Sequence, residues 1–99
     1  MIKMAGILIP TYNDGNVIEK CIESILNQKT KYEYNIYIIN DGSTDNTSSI
    51  LDKYKNIIIV NIEHGGIVKA LNTGLDLIKE KYIIRMDSDD IMINGRIQH

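Results

Sequence analysis

Apolar residues gather in short, nearly unbroken runs, and between the runs they return only every third or fourth position. Residues 5–9 make the first run, which Pro10 is expected to close. Asn13, Asp14 and Gly15 then supply a turn and a helix start. Val17, Ile18, Cys21, Ile22, Ile25 and Leu26 recur at helical spacing, which predicts one buried stripe of an amphipathic helix. A polar loop over residues 29–32 leads to a second predicted strand over 35–39. A turn-rich stretch follows, and then a short helix with Ile50, Leu51 and Tyr54 inward. Residues 57–62 predict a third strand, and Glu63-His64-Gly65-Gly66 a tight turn. A helix is expected over 67–80, with Ala70, Leu71, Leu75 and Ile78 on its inner face. Residues 82–86 predict a fourth strand, in which Tyr82-Ile83-Ile84 reads as buried.

The resulting order, β-α-β-α-β-α-β, with nearly all-apolar strands, predicts a mainly parallel α/β sheet covered by helices on both faces. In such a sheet all strand ends of one kind share a rim. Pro10-Thr11-Tyr12-Asn13-Asp14, Asn40-Asp41-Gly42-Ser43, Glu63-His64-Gly65-Gly66 and Asp87-Ser88-Asp89-Asp90 each follow a predicted strand. Every polar or glycine-rich cluster therefore falls on the carboxyl rim, where open α/β sheets bind ligands. The turns at the other ends, around Lys29-Lys31, Lys53-Lys55 and Lys79-Lys81, are merely charged.

Composition narrows the classes of function. The 99 residues make one domain or part of one, and 43% hydrophobic with 24% charged residues is ordinary for a globular chain. A net charge of −2 argues against a nucleic-acid binder held by phosphate neutralisation. Cys21 has no second cysteine to pair with and falls in the apolar helical stripe, so a buried structural thiol in a reducing, cytosolic setting is expected. No run approaches the roughly 18–20 apolar residues of a membrane span, and no signal-peptide pattern is seen. Residues 91–99 open a further segment without completing it, as expected of a chain cut inside a larger domain.

The chemistry points to an anionic ligand held through a cation. Three carboxylates crowd into Asp87-Ser88-Asp89-Asp90. Such a cluster is costly unless solvated or neutralised, and its hard oxygens suit Mn²⁺ or Mg²⁺. A divalent ion there could hold a diphosphate and stabilise it as a leaving group. A solvated loop or the cap of a following helix is the plainer alternative. Asp41 can accept hydrogen bonds from a base N–H or a ribose hydroxyl, and Gly42 and Ser43 would let a ligand approach the backbone. His64 reads as a turn residue. The first strand is not followed by a Gly-x-Gly-x-x-Gly turn, and no Walker A pattern occurs. Asp41-x-Ser43-x-Asp45 lacks the glycine and glutamate that a calcium loop needs, with Asn46 and Asp52 in their places. Zinc ligands and a serine-hydrolase triad find no support either.

Read together, Ile9-Pro10-Thr11-Tyr12-Asn13, Asn40-Asp41-Gly42-Ser43-Thr44-Asp45-Asn46-Thr47, Gly65-Gly66-Ile67-Val68-Lys69-Ala70-Leu71-Asn72-Thr73-Gly74-Leu75 and Met86-Asp87-Ser88-Asp89-Asp90 resemble the family 2 glycosyltransferases over essentially the whole chain. The resemblance implies a Rossmann-like GT-A fold, of which residues 1–99 would be the N-terminal, nucleotide-sugar-binding half. It also implies a nucleotide-diphospho-sugar donor, usually a UDP-sugar, a Mn²⁺ or Mg²⁺ ion, and transfer with inversion to a glycan or lipid-linked acceptor. Pro10, Thr11 and Tyr12, with Asn13, match the segment lining the nucleoside pocket. Asp41, with Gly42 and Ser43, matches the base-contacting carboxylate and its turn. Asp87, Ser88 and Asp89 match the Asp-x-Asp motif that touches ribose and metal, with Asp90 a second candidate for the metal. Many relatives carry Ala-Arg-Asn where this chain has Ala70-Leu71-Asn72, and Lys69 is the candidate to replace that arginine. The acceptor site and the carboxylate general base are expected in a C-terminal half that the 99 residues lack, so this chain alone is expected to be inactive. Arg96 resembles an arginine that follows the acidic motif in relatives. A cytoplasmic protein, with peripheral membrane contact through the missing part, is expected. A non-catalytic nucleotide- or metal-binding module is the competing reading. A sugar nucleotidyltransferase is disfavoured, because residues 10–15 hold no arginine or lysine for a triphosphate.

Overall fold

The computed structural model describes residues 5–28 and 33–90. The expectations for residues 29–32 and 91–99, including Arg96, lie outside them. Four strands and three helices alternate: β1 (Ala5–Thr11), α1 (Ile18–Leu26), β2 (Tyr34–Asp41), α2 (Thr47–Leu51), β3 (Ile58–Ile62), α3 (Ile67–Leu77) and β4 (Tyr82–Arg85). All strand pairs are parallel, in the order β3-β2-β1-β4. Side-chain alternation splits the core in two. Ile7 and Ile9 of β1 and Ile36 and Ile38 of β2 pack with Ile18, Cys21, Ile22 and Ile25 of α1 and Leu51 of α2. Leu8, Tyr37 and Ile39 face the other way, onto Ala70 of α3 and Ile78. The sheet is thus covered on both faces, as the apolar runs require, and each fully buried isoleucine contributes roughly 1.5–3 kcal/mol relative to exposure. Gly74 lets α3 lie close on β1, since a Cβ there would stand 2.2 Å from Leu8 Cδ1.

Several local expectations are corrected. β1 does not stop at Pro10 but runs to Thr11, with Pro10 opposite Ile39 and Thr11 opposite Asn40. The Met86 N–H donates to the Leu8 carbonyl at 3.0 Å, so even-numbered residues of β1 turn their backbone groups toward β4. Pro10 therefore lacks its N–H on the β4 side, where pairing ends at Leu8 opposite Arg85, and no ladder bond is lost. Among the described residues β4 is an edge strand rather than a buried one: Tyr82 and Ile83 are exposed and Ile84 is half-buried. α3 ends at Leu77, and the inner position expected of Leu75 is taken by Gly74, while Leu75 is exposed. Leu26, at the last position of α1, is exposed as well.

Candidate functional site

The strand order reverses between β1 and β4. From β1 the sheet grows through β2 to β3 on one flank, and α3 then returns the chain across the other face to β4. Such a reversal leaves a crevice outside the carboxyl ends of the two strands. A cavity of about 300 Å³ lies there, lined by Pro10, Thr11, Tyr12, Asp14, Asp41, His64, Gly66, Ile67, Ala70, Asp87 and Ser88. All four strand ends contribute to it.

Asp41, the last residue of β2, is buried, yet every donor near its carboxylate is well placed. Oδ1 accepts from the Gly65 N–H at 2.9 Å, and Oδ2 from the Gly66 N–H at 3.0 Å. His64 Nδ1 lies 3.0 Å from Oδ2 and 3.2 Å from the Asp41 carbonyl oxygen, which fits the tautomer protonated at Nδ1. Burial alone would raise the carboxyl's pKa; the two glycine amides and the imidazole outweigh it and hold it below the ordinary value. Gly42 makes this closure possible. It sits at φ +70°, and a Cβ there would stand 2.7 Å from the His64 nitrogen. The smallness of Gly42 thus serves the approach of the His64 loop. The His64 ring stacks on Tyr12, with centroids 4.1 Å apart and planes 24° from parallel, and the pair forms one wall of the mouth.

Asp14, expected at a helix start, turns its side chain to the sheet. Its carbonyl accepts the Val17 and Ile18 N–H groups at 2.9 and 2.8 Å, so the backbone opens α1. Its carboxylate Oδ2 accepts from Thr11 Oγ1 at 3.0 Å, from the Tyr12 N–H at 3.1 Å and from Ser88 Oγ. Asn13 and Ser43 do not line the cavity; they fasten two loops together. The Asn13 N–H donates to Ser43 Oγ at 3.0 Å, and Asn13 Oδ1 accepts the Thr44 N–H at 2.7 Å. Asn13 takes φ 53°, a conformation asparagine tolerates better than most residues. Asp45 adds to the clamp, accepting the Gly15 N–H at 3.1 Å.

The acidic loop stands at the cavity's lip. Met86 and Ser88 point inward and are buried, while Asp87, Asp89 and Asp90 are exposed. One carboxylate oxygen from each of the three lies within 4.8 Å of the others. Three hard oxygen donors at that spacing fit an Mn²⁺ or Mg²⁺ ion. Asp87 Oδ1 also accepts from the Arg85 guanidinium at 3.1 Å, and Asp90 Oδ2 accepts the Asp87 N–H at 3.1 Å. Beneath the loop, Cys21 Sγ lies 3.7 Å from the Asp87 carbonyl. Burial, followed by the repulsion of Asp90, Asp89, Asp14 and Asp87, pushes its thiol up to about 12, so it stays protonated and structural. Lys69 is exposed, and its Nζ donates to the Glu63 carbonyl at 3.1 Å, outside the cavity lining.

The structure therefore brings Pro10, Thr11, Tyr12, Asp41, Asp87 and Ser88 around one cavity, and leaves Asn13, Gly42, Ser43, Lys69, Asp89 and Asp90 off its lining. His64 and Asp14 line it too, although the sequence placed them only in the turns of the rim and named neither as a site residue.

Residues 6–99 match the family described as Glycosyl transferase family 2. The chain belongs to that family. Its family 2 relatives include the chondroitin synthase of Pasteurella multocida (strain Pm70), 41% identical over 92% of this chain and 10% of the relative. The poly(ribitol-phosphate) β-N-acetylglucosaminyltransferase TarP of Staphylococcus aureus is 34% identical over 91% of this chain and 29% of its own length. Among solved structures, S. aureus TarS 1-349 in complex with UDP-GlcNAc superimposes with a TM-score of 0.88 at 28% identity, over 96% of this chain and 29% of that one. The chain thus spans between 10% and 29% of the length of these proteins, and its fold is the GT-A arrangement.

Proposed function

We propose that residues 1–99 form the donor-binding half of an inverting glycosyltransferase. The protein would transfer a sugar from a nucleotide diphospho-sugar, a UDP-sugar in the first instance, to a glycan or lipid-linked acceptor. The observation that carries this reading is the convergence of all four strand ends on one cavity, with Asp41 at its floor and the acidic loop at its lip. The likeness to TarS, whose structure holds UDP-GlcNAc, supports the choice of nucleotide. In this reading Pro10, Thr11 and Tyr12 line the nucleoside, and Asp41 uses its remaining acceptor capacity on the base. Asp87 and Ser88 face the ribose and diphosphate. Asn13, Gly42 and Ser43 act from behind, by holding the loops that line the pocket. Lys69 would have to leave the Glu63 carbonyl to reach a phosphate. Asp89, Asp90 and Asp87 would hold Mn²⁺ or Mg²⁺, which when bound neutralises the diphosphate and makes it a better leaving group. The general base and the acceptor site are assigned to the other half of the domain. Among the described residues no helix is long and apolar enough to cross a membrane. The proposal places the reaction in the cytoplasm, with any membrane contact peripheral.

Calorimetric titration of UDP into the chain, with and without Mn²⁺ and with GDP alongside, tests the reading. Mn²⁺-dependent UDP binding that Asp89→Ala or Asp90→Ala removes is the expected result. Absence of binding by either nucleotide in a folded sample would overturn it.

A further inference from the structure

Among the described residues the acidic loop is tied to the rest of the molecule through Met86, the Asp87 carbonyl and Ser88. Its carboxylates point to solvent, and the inward side chains are Met86 and Ser88. Ser88 is 8% exposed between two exposed aspartates, and its hydroxyl donates to Asp14 Oδ2 across the β1–β4 crevice. The same oxygen takes Thr11 Oγ1 and the Tyr12 N–H, so one carboxylate ties the end of β1 to the loop after β4. Because the Asp14 carbonyl also accepts the first N–H groups of α1, the residue itself is anchored in the fold. A hydrogen bond to a carboxylate is stronger than a neutral one, and a well-anchored acceptor loses little by holding it.

From this geometry we infer that Asp14 is the positioning residue of the acidic loop: through Ser88 it holds Asp87 and Asp89 in the shape that receives a divalent cation. The inference rests on the donor-site reading above for the cation, and on the Asp14–Ser88 contact alone for the latch. Asp14 reaches the loop through the Ser88 hydroxyl. It acts as the outer partners of metal ligands do, whose loss typically weakens metal affinity about ten- to a hundred-fold.

Two measurements on the 99-residue chain test it. The first is amide hydrogen exchange without metal, in the native chain, Asp14→Ala, Ser88→Ala and Ser88→Thr. Faster exchange across residues 87–90 in both alanine variants, with the core of β1 and β2 still protected and Ser88→Thr near native, is expected. Unchanged loop exchange in Asp14→Ala overturns the inference whatever the ligand. The second is titration of Mn²⁺ alone, followed by electron paramagnetic resonance, through a double-mutant cycle of Asp14→Ala and Ser88→Ala. Each single variant is expected to lose about ten-fold in Mn²⁺ affinity, and the double variant no more than either. Additive losses would mean that Asp14 acts independently of Ser88, which overturns the positioning role. If the native chain takes up no Mn²⁺, the metal-assisted donor reading falls and takes the cation half of this inference with it, while the exchange result still decides the latch.

Discussion

Asp41 and the acidic cluster of Asp87, Asp89 and Asp90 share the carboxyl rim, and the two are built on opposite terms. Asp41 is buried, and the chain itself supplies its neutralising partners: two glycine amides and an imidazole. Asp87, Asp89 and Asp90 are exposed and crowded within 4.8 Å, and among the described residues their carboxylates take the Arg85 guanidinium and one backbone N–H. A buried anion without partners would cost several kcal/mol, so the fold must complete its cradle before any ligand arrives. An exposed cluster costs far less, so it can wait for a cation from solution. The difference teaches which carboxylate is part of the fold's stability and which is kept for exchange.

The comparison breaks most readily at Asp41. Asp41→Asn keeps the shape but turns an NH₂ toward a backbone N–H, leaving a buried donor unmatched. We expect a loss of about 2–3 kcal/mol in urea unfolding. A loss below about 0.5 kcal/mol would show that the cradle is not what holds the His64 loop to β2. Acid unfolding sharpens the contrast. The folded carboxyl lies below its ordinary value of 3.8, so its contribution is fully present above that value and is lost as pH falls below it. In Asp41→Asn that part of the acid limb should flatten, whereas in Asp89→Asn it should persist. The smallest effect is expected at the lip itself. Asp89→Asn relieves repulsion in an exposed cluster, and metal-free stability should change by no more than about 0.5 kcal/mol, in the upward direction. A destabilisation as large as that of Asp41→Asn would erase the distinction between the two groups.

The alternation of apolar runs and amphipathic stretches was enough to read the parallel sheet, the helices on both faces and the shared rim, because period and burial follow directly from local spacing. Strand order was not legible. Nothing in Tyr82-Ile83-Ile84 distinguishes an edge strand from a central one, and among the described residues β4 pairs with β1 alone, which leaves Tyr82 and Ile83 exposed. Pro10 looked like a stop because its effect depends on which neighbour its missing N–H would have faced. The site divides the same way. Asp41 and the acidic loop stand out by composition, and the structure puts Asp41, Asp87 and Ser88 on one cavity, with Asp89 and Asp90 off its lining. Asp14 and His64 were read as turn residues because their partners, Ser88 and Asp41, lie 74 and 23 residues away. Asn13 and Ser43 carry the reverse lesson. Residues beside a pocket can be turned to tying loops together: the Asn13 N–H meets Ser43 Oγ at 3.0 Å, and Asn13 Oδ1 takes the Thr44 N–H at 2.7 Å.

The central place of β1 also bears on how the molecule reaches its native state. β1 meets β2 after one short excursion of the chain, but its other neighbour is β4, so Ala5 must find Tyr82. Contacts that distant in sequence close large loops and slow the search. The flank formed by β1, β2 and β3 can assemble early, with the cradle around Asp41 among its first finished parts. The crevice, and with it the acidic lip, comes into being only when β4 docks. Refolding followed at the two groups should therefore show burial around Asp41 preceding closure of the Asp14–Ser88 contact, so that competence for ligand is the last property the chain acquires.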